Sequence, residues 1–181
     1  MRPVLHPIAR PPAALTGPGY DVVLLLHLAC VLIGLLTVVV SGVSAARLAA
    51  VPPGSRPGEA LLRYYAPGTN WAGRAIYGVP VFGLALLAQS EGAFGLGQGW
   101  VLGGLLVWVL VAAAAEGLLW PTERRIRSLL AAPGAGPPAR AATVTGTAPG
   151  EIHRLCRRAT GVSAALVVAL VVGSVLMVVQ P

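Results

Sequence analysis

Two ionisable side chains stand inside long apolar runs, and any chemistry is sought there first: His27, within Val22–Ala46, and Glu116, within Trp100–Trp120. A carboxylate in hydrocarbon is expensive and by default marks a pathway, a relay or an ion pair. Glu116 lies four residues from Trp120, about 6 Å along a helix from the polar boundary, within reach of Arg47, Arg74, Arg124 or Arg125. It therefore reads either as a structural partner of one of these Arg residues or as a proton relay or substrate-binding carboxylate. His27 has three readings: a haem or metal ligand, a proton carrier, or a packing histidine bonded to a backbone carbonyl across the bundle. Ligation by two His would need a second imidazole at the same depth. His6 belongs to the N-terminal tail and His153 to the opposite end of the bundle, so two-His ligation is poorly supported and single-His ligation stays open.

Nothing else in the chain has the form of a reaction centre. Cys30 and Cys156 lack metal-ligand spacing and frame no disulfide scaffold. The sequence contains no Gly-rich phosphate loop, nucleophile elbow, paired catalytic carboxylates or His/Cys cluster. Tyr64, Tyr65 and Trp71 beside Arg63 and Arg74 read as interfacial anchors, or as one wall of a headgroup pocket facing Glu116 and Asn70.

The elements that position these residues follow from composition. Of 181 residues, 56% are hydrophobic and 10% charged, with a mean hydropathy of +0.77. An ordinary soluble domain carries about a quarter charged residues, so that class is excluded. The net charge is +7, and all thirteen cations are Arg. They flank apolar runs instead of forming a patch interleaved with aromatics, which points to anionic lipid headgroups and away from nucleic acid.

The first run, Val22–Ala46, would extend about 37 Å as a helix, more than the ~30 Å hydrocarbon core. Ser44-Ala45-Ala46 resembles a signal-peptidase site, but signal h-regions run only about 7–15 residues. The second run, Ala75–Ser90, is about 24 Å as an α-helix and falls short unless it begins near Trp71 with Arg74 snorkelling. Pro80 within it frees a carbonyl that a neighbouring helix must satisfy. The third run has Trp at both ends as depth markers, and Pro121 is expected to stop or bend it. The fourth, Ala159–Val179, carries no charge.

The expected architecture is all-α: a four-helix transmembrane bundle with helices at about 22–46, 71–90, 100–120 and 159–179. A Pro-rich irregular tail (1–20) precedes it, and a flexible loop (121–158) joins the last two helices. Arg47, Arg56, Arg63 and Arg74 fall in one connection and seven more Arg, from Arg124 to Arg158, in another. The positive-inside rule makes both connections cytoplasmic and both termini external. Glu123–Leu130 and Glu151–Arg158 read as short basic segments, the second with Ile152, Leu155, Cys156 and Ala159 at helical spacing. Cys156 is expected to be open to thiol reagents from the cytoplasm, and Cys30 to be shielded.

Two similar small-residue stretches, Ser41-Gly-Val-Ser-Ala-Ala46 and Thr160-Gly-Val-Ser-Ala-Ala165, predict close contact between the first and fourth helices. The packing pairs would be Ser41/Ala45, Gly42/Ala46 and Gly161/Ala165.

Three features resemble the DUF2269 group of bacterial integral membrane proteins. They are Leu25-Leu-His-Leu-Ala-Cys-Val-Leu-Ile-Gly34, the span Arg74–Ser90, and Trp120-Pro-Thr-Glu-Arg-Arg125. The likeness covers Tyr20–Val179 and implies a four-helix protein of the bacterial cytoplasmic membrane. More distantly the layout resembles the CopD-type copper-resistance membrane domain and HemJ-type protoporphyrinogen oxidases, in which a membrane His associates with haem. That resemblance implies His27 as the haem position. The HemJ type also relies on a Lys, and this chain has none, a departure that argues against that activity. The expected role is a non-enzymatic structural or accessory membrane component, self-associated or within a larger complex, with no cofactor. The alternatives are a haem- or metal-associated redox protein using His27 and a small transporter or proton-coupled protein using Glu116.

Overall fold

The structure, a computed structural model, describes residues 17–52, 55–66, 68, 71–90, 92–131 and 149–179. Among these, regular structure is entirely helical. Four helical stretches are long and apolar enough to cross a membrane: Pro18–Ala49, Ala72–Gln89, Gly99–Ala131 and Gly150–Val179.

Helix α1 (Pro18–Ala49) starts on a proline, whose missing N–H is no loss in the first turn. A short helix, α2 (Glu59–Tyr64), follows in the first Arg-rich connection. The second span is composite: a 3-10 turn, Ala72–Tyr77, runs straight into α3 (Gly78–Gln89). A 3-10 turn rises about 2.0 Å per residue against 1.5 Å for an α-helix, so these residues cover about 30 Å. The tighter winding lets a short apolar run reach across the hydrocarbon.

Of the stop or bend expected at Pro121, the stop does not occur. Helix α4 (Gly99–Ala114) passes through a π-turn, Ala115–Leu119, into α5 (Trp120–Ala131) without a break. A proline ring inside an α-helix clashes with the carbonyl four residues back and leaves it without a donor. The π-turn widens the backbone just before Pro121, with the Trp120 amide bonding to Ala115 five residues earlier. The Thr122 hydroxyl donates to the Leu118 carbonyl at 2.6 Å. Helix α6 (Pro149–Val179) likewise begins well before residue 159. Much of the expected loop 121–158 is therefore helix; its middle, 132–148, and the tail residues 1–16 lie outside the described residues.

Antiparallel α1 and α6 form the spine. The second span leans on α1, α4 leans on α6, and α3 and α4 barely touch. The core gathers at the Arg-rich end, around Ala45, Leu119, Ile126, Cys156 and Ala159. Elsewhere Leu25, Leu36, Val168 and Val175 point outward, which suits an acyl-chain environment and would be costly in water.

The α1–α6 contact uses only part of the expected small-residue set. Ser41 and Ala45 are buried, and a Cβ added to Gly42 would lie 2.8 Å from Ser163 Cβ. The Thr160 hydroxyl donates to the Gly42 carbonyl at 3.4 Å. Ala46, Gly161 and Ala165 instead face outward, and nothing lies within 4 Å of a Cβ built on Gly161. The buried face of α6 is set by Ile152, Cys156, Ala159, Ser163 and Leu166, a repeat of three and four residues that rotates Gly161 and Ala165 off the contact. Cys156 is fully buried, contrary to the expected accessibility, whereas Cys30 is partly covered beside Gly78.

Candidate functional site

Glu123 is the most enclosed charged residue among the described residues, at 3% exposure. From the sequence it reads as the first residue of a short basic segment, yet α5 turns it inward. Leu119 and Ile126, four residues before and three after, are buried on the same face. Its Oε1 accepts from the Ser41 hydroxyl of α1 at 2.5 Å and from the Tyr64 hydroxyl of α2 at 2.7 Å. Arg127 Nη2 lies 3.6 Å from Oε2, and Arg127 Nη1 donates to the Gly68 carbonyl at 3.0 Å. One carboxylate thus ties α1, the first connection and α5 together.

The ring of Tyr65 meets that of Tyr64 edge-on at 4.9 Å. Burial, reinforced by the Glu123 carboxylate, pushes the Tyr64 phenol above its ordinary pKa. Burial also raises Tyr65, with the Cys156 thiol the next influence. The Tyr65 hydroxyl and Arg127 Nε are buried without a hydrogen-bond partner among the described residues. A void of about 10 Å³, room for about one water, touches Thr37, Ser41, Trp120 and Glu123.

Glu116 sits in the π-turn and its Oε1 accepts from Arg74 Nη1 at 3.1 Å and from the Tyr77 hydroxyl. The Arg74 guanidinium lies over the Trp120 ring, 4.9 Å from its centroid. Of the cations in reach of Glu116, Arg74 is the one the fold brings to it. Arg125 instead pairs with Glu151 at 3.1 Å, joining α5 to α6, and Arg124 makes no ion pair among the described residues. Tyr77 was not marked by sequence. Its position three residues after Arg74, one turn along a helix, was the signal.

At the opposite end, the splayed α3 and α4 leave a cavity of about 390 Å³, backed by α1 and α6. Its wall is apolar apart from a few side chains: His27, Cys30, Ser174, Trp108, and Tyr20 and Trp100 at the rim. His27 Nδ1 donates to the Val79 carbonyl at 2.9 Å. Ser174 Oγ donates to the Leu170 carbonyl at 2.9 Å. Trp108 Nε1 donates to the Ile76 carbonyl at 2.8 Å. Ile76 is the residue four before Pro80, so its carbonyl is the one the proline deprives of a helical donor. An indole from the neighbouring helix supplies the replacement and pins the floor of the cavity. Met177 lines the same wall, against Gly104.

No family model matches the chain, and no curated protein or solved structure is similar to it. Among the described residues, no three His, Cys, Asp or Glu side chains gather to hold a metal ion.

Proposed function

We propose that this chain is a non-enzymatic, multi-pass protein of the bacterial cytoplasmic membrane that holds a membrane-soluble small molecule between α3 and α4. The observation that carries this reading is the 390 Å³ apolar cavity lying between two helices that scarcely pack on each other. Small-molecule sites are of this size and kind, mostly apolar with few polar groups, and a gap between helices gives access from the bilayer. The test is saturable ligand binding by the purified chain in nanodiscs, followed through Trp100 and Trp108. Filling the cavity with Leu24→Trp should abolish saturation while leaving thermal stability intact. Equal binding by the filled variant would refute the reading.

Orientation belongs to the same proposal: the Arg-rich end faces the cytoplasm and anionic headgroups, with both termini outside. Glu59, whose side chain is 88% exposed in the first Arg-rich connection, is the probe. With Cys30 replaced, Glu59→Cys should react with an impermeant thiol reagent only after the membrane is opened. Reaction in intact cells would reverse the topology.

A second reading is favoured by the His27 hydrogen bond. With its Nδ1–H committed to Val79, the imidazole keeps Nε2 as a donor atom for a metal. The Met177 thioether lines the same cavity, and a His/Met pair is one of the sets that hold haem iron. The likeness to CopD- and HemJ-type domains supports it, and haem would add one-electron redox chemistry. A Soret band lost in His27→Ala would establish this reading; a colourless preparation would remove it. The Arg74 and Tyr77 contacts of Glu116 support a structural ion-pair role for that carboxylate over a transport role.

A further inference from the structure

Three of the polar side chains that line the cavity share one feature. His27 Nδ1–H, Ser174 O–H and Trp108 Nε1–H are each donated to a backbone carbonyl, those of Val79, Leu170 and Ile76. A carbonyl oxygen only accepts, so the hydrogen on the His27 ring resides on Nδ1, and in the neutral imidazole Nε2 is then an acceptor only. Nε2 has no partner among the described residues. Ser174 Oγ, with its hydrogen used, presents lone pairs. The interior of this apolar chamber therefore offers strong acceptors and no free O–H or N–H donor; the Cys30 thiol, a weak donor, is the other polar group of its wall, and Tyr20 and Trp100 stand at the rim near the starts of α1 and α4.

Resting on the reading of this cavity as a ligand site, we infer that it selects a hydrogen-bond donor: a membrane-soluble hydroxyl compound, a long-chain alcohol or phenol, whose O–H is accepted by His27 Nε2. The apolar body lies among Leu24, Val31, Leu87 and Leu105. Antiparallel α1 and α6 place Ser174 about one helical turn, ~5 Å, deeper than His27, so a second hydroxyl at that separation would find the second acceptor. An ester, ketone or ether of the same shape carries only acceptors and meets acceptors and at best the weak Cys30 thiol, which leaves its oxygen desolvated and poorly paired.

The test uses the full chain in nanodiscs at mildly alkaline pH, where an ordinary imidazole is neutral. The probes are bromododecanol and its methyl ether, whose bromine quenches Trp100 and Trp108 at short range. Both are referred to membrane mole fraction with empty nanodiscs as the control. The alcohol should quench saturably and bind about three- to tenfold more tightly than the ether, the factor for one hydrogen bond. In His27→Leu the ratio should fall to about one with the ether unchanged, and in His27→Gln, which keeps an acceptor, a preference should survive. Saturable quenching by both probes with equal affinity in the native chain would overturn the donor selectivity and leave the cavity reading standing. Linear, unsaturable quenching by both would overturn the cavity reading, and the inference with it. A ratio that His27→Leu leaves intact would place the selectivity elsewhere and also refute the assignment.

Discussion

Replacing Glu123 by Ala tests how the Arg-rich end is held together. The carboxylate accepts two hydroxyls, from Ser41 at 2.5 Å and Tyr64 at 2.7 Å, and faces Arg127 at 3.6 Å. Its side chain is 4% exposed and that of Arg127 is 19%. Hydrogen bonds to a charged group contribute about 1.5–3 kcal/mol each, and breaking a buried pair from one side costs about 3–5 kcal/mol. Arg127 retains the Gly68 carbonyl and some access to solvent, so the lower part of that range, about 3–4 kcal/mol, is expected. Glu123→Gln keeps an acceptor oxygen and the shape of the site and should cost about 1–2 kcal/mol. Equilibrium unfolding in mixed micelles with increasing dodecyl sulfate, followed by Trp fluorescence, measures both. A double-mutant cycle with Tyr64→Phe should give a coupling of about 1–2 kcal/mol. By contrast, the Arg74–Glu116 pair is nearly half exposed, and Glu116→Gln should cost less than about 1 kcal/mol. If Glu123→Ala unfolds like the native chain, or Tyr64→Phe adds to it without coupling, Glu123 is not the tie described.

Trp108→Phe should cost about 1–2 kcal/mol by leaving the Ile76 carbonyl without a donor. Most of that loss should disappear in the Pro80→Ala background, where the helix supplies its own N–H; equal losses in both backgrounds would refute the pairing. Gly42→Ala should destabilise by about 1–3 kcal/mol through overlap with Ser163, whereas Gly161→Ala should be neutral or slightly stabilising by helix propensity. Thermal unfolding of the two variants decides between the observed and the symmetric small-residue contact. Tyr64 and Tyr65 have pKa values raised above the ordinary 10.0, so the folded state binds these protons more tightly than the unfolded one. Their contribution is complete below pH 10 and is lost as pH rises beyond it. Unfolding midpoints should fall above pH 10, and Tyr65→Phe should flatten that fall.

Much of the scaffold was legible in the chain itself. A span is a local property, since the length of an uncharged run multiplied by the helical rise already states whether it crosses ~30 Å of hydrocarbon. The four runs, the helical spacing of Ile152, Leu155, Cys156 and Ala159, and the need of Pro80 for a neighbouring donor could all be read in this way. At Pro121, where a stop or a bend was expected, the helix continues through a π-turn, a backbone solution that side-chain types do not announce.

The sites were much less legible. Glu116 and His27 stood out as ionisable groups among apolar residues, but their partners, Arg74, Tyr77 and Val79, lie 52 residues away for His27 and 42 and 39 for Glu116. Glu123, embedded in Thr-Glu-Arg-Arg, looked like surface. Its neighbours Ser41 and Tyr64 are 82 and 59 residues distant.

Which helices are long and apolar enough to cross a bilayer was thus determined by sequence. How each is rotated about its axis, which carboxylate is enclosed and which pair of helices stays apart were decided only by tertiary packing. Burial of a span against lipid depends on one segment at a time. A hydrogen bond between helices depends on the depth and rotation of two, and those are set jointly by every side chain at the contact.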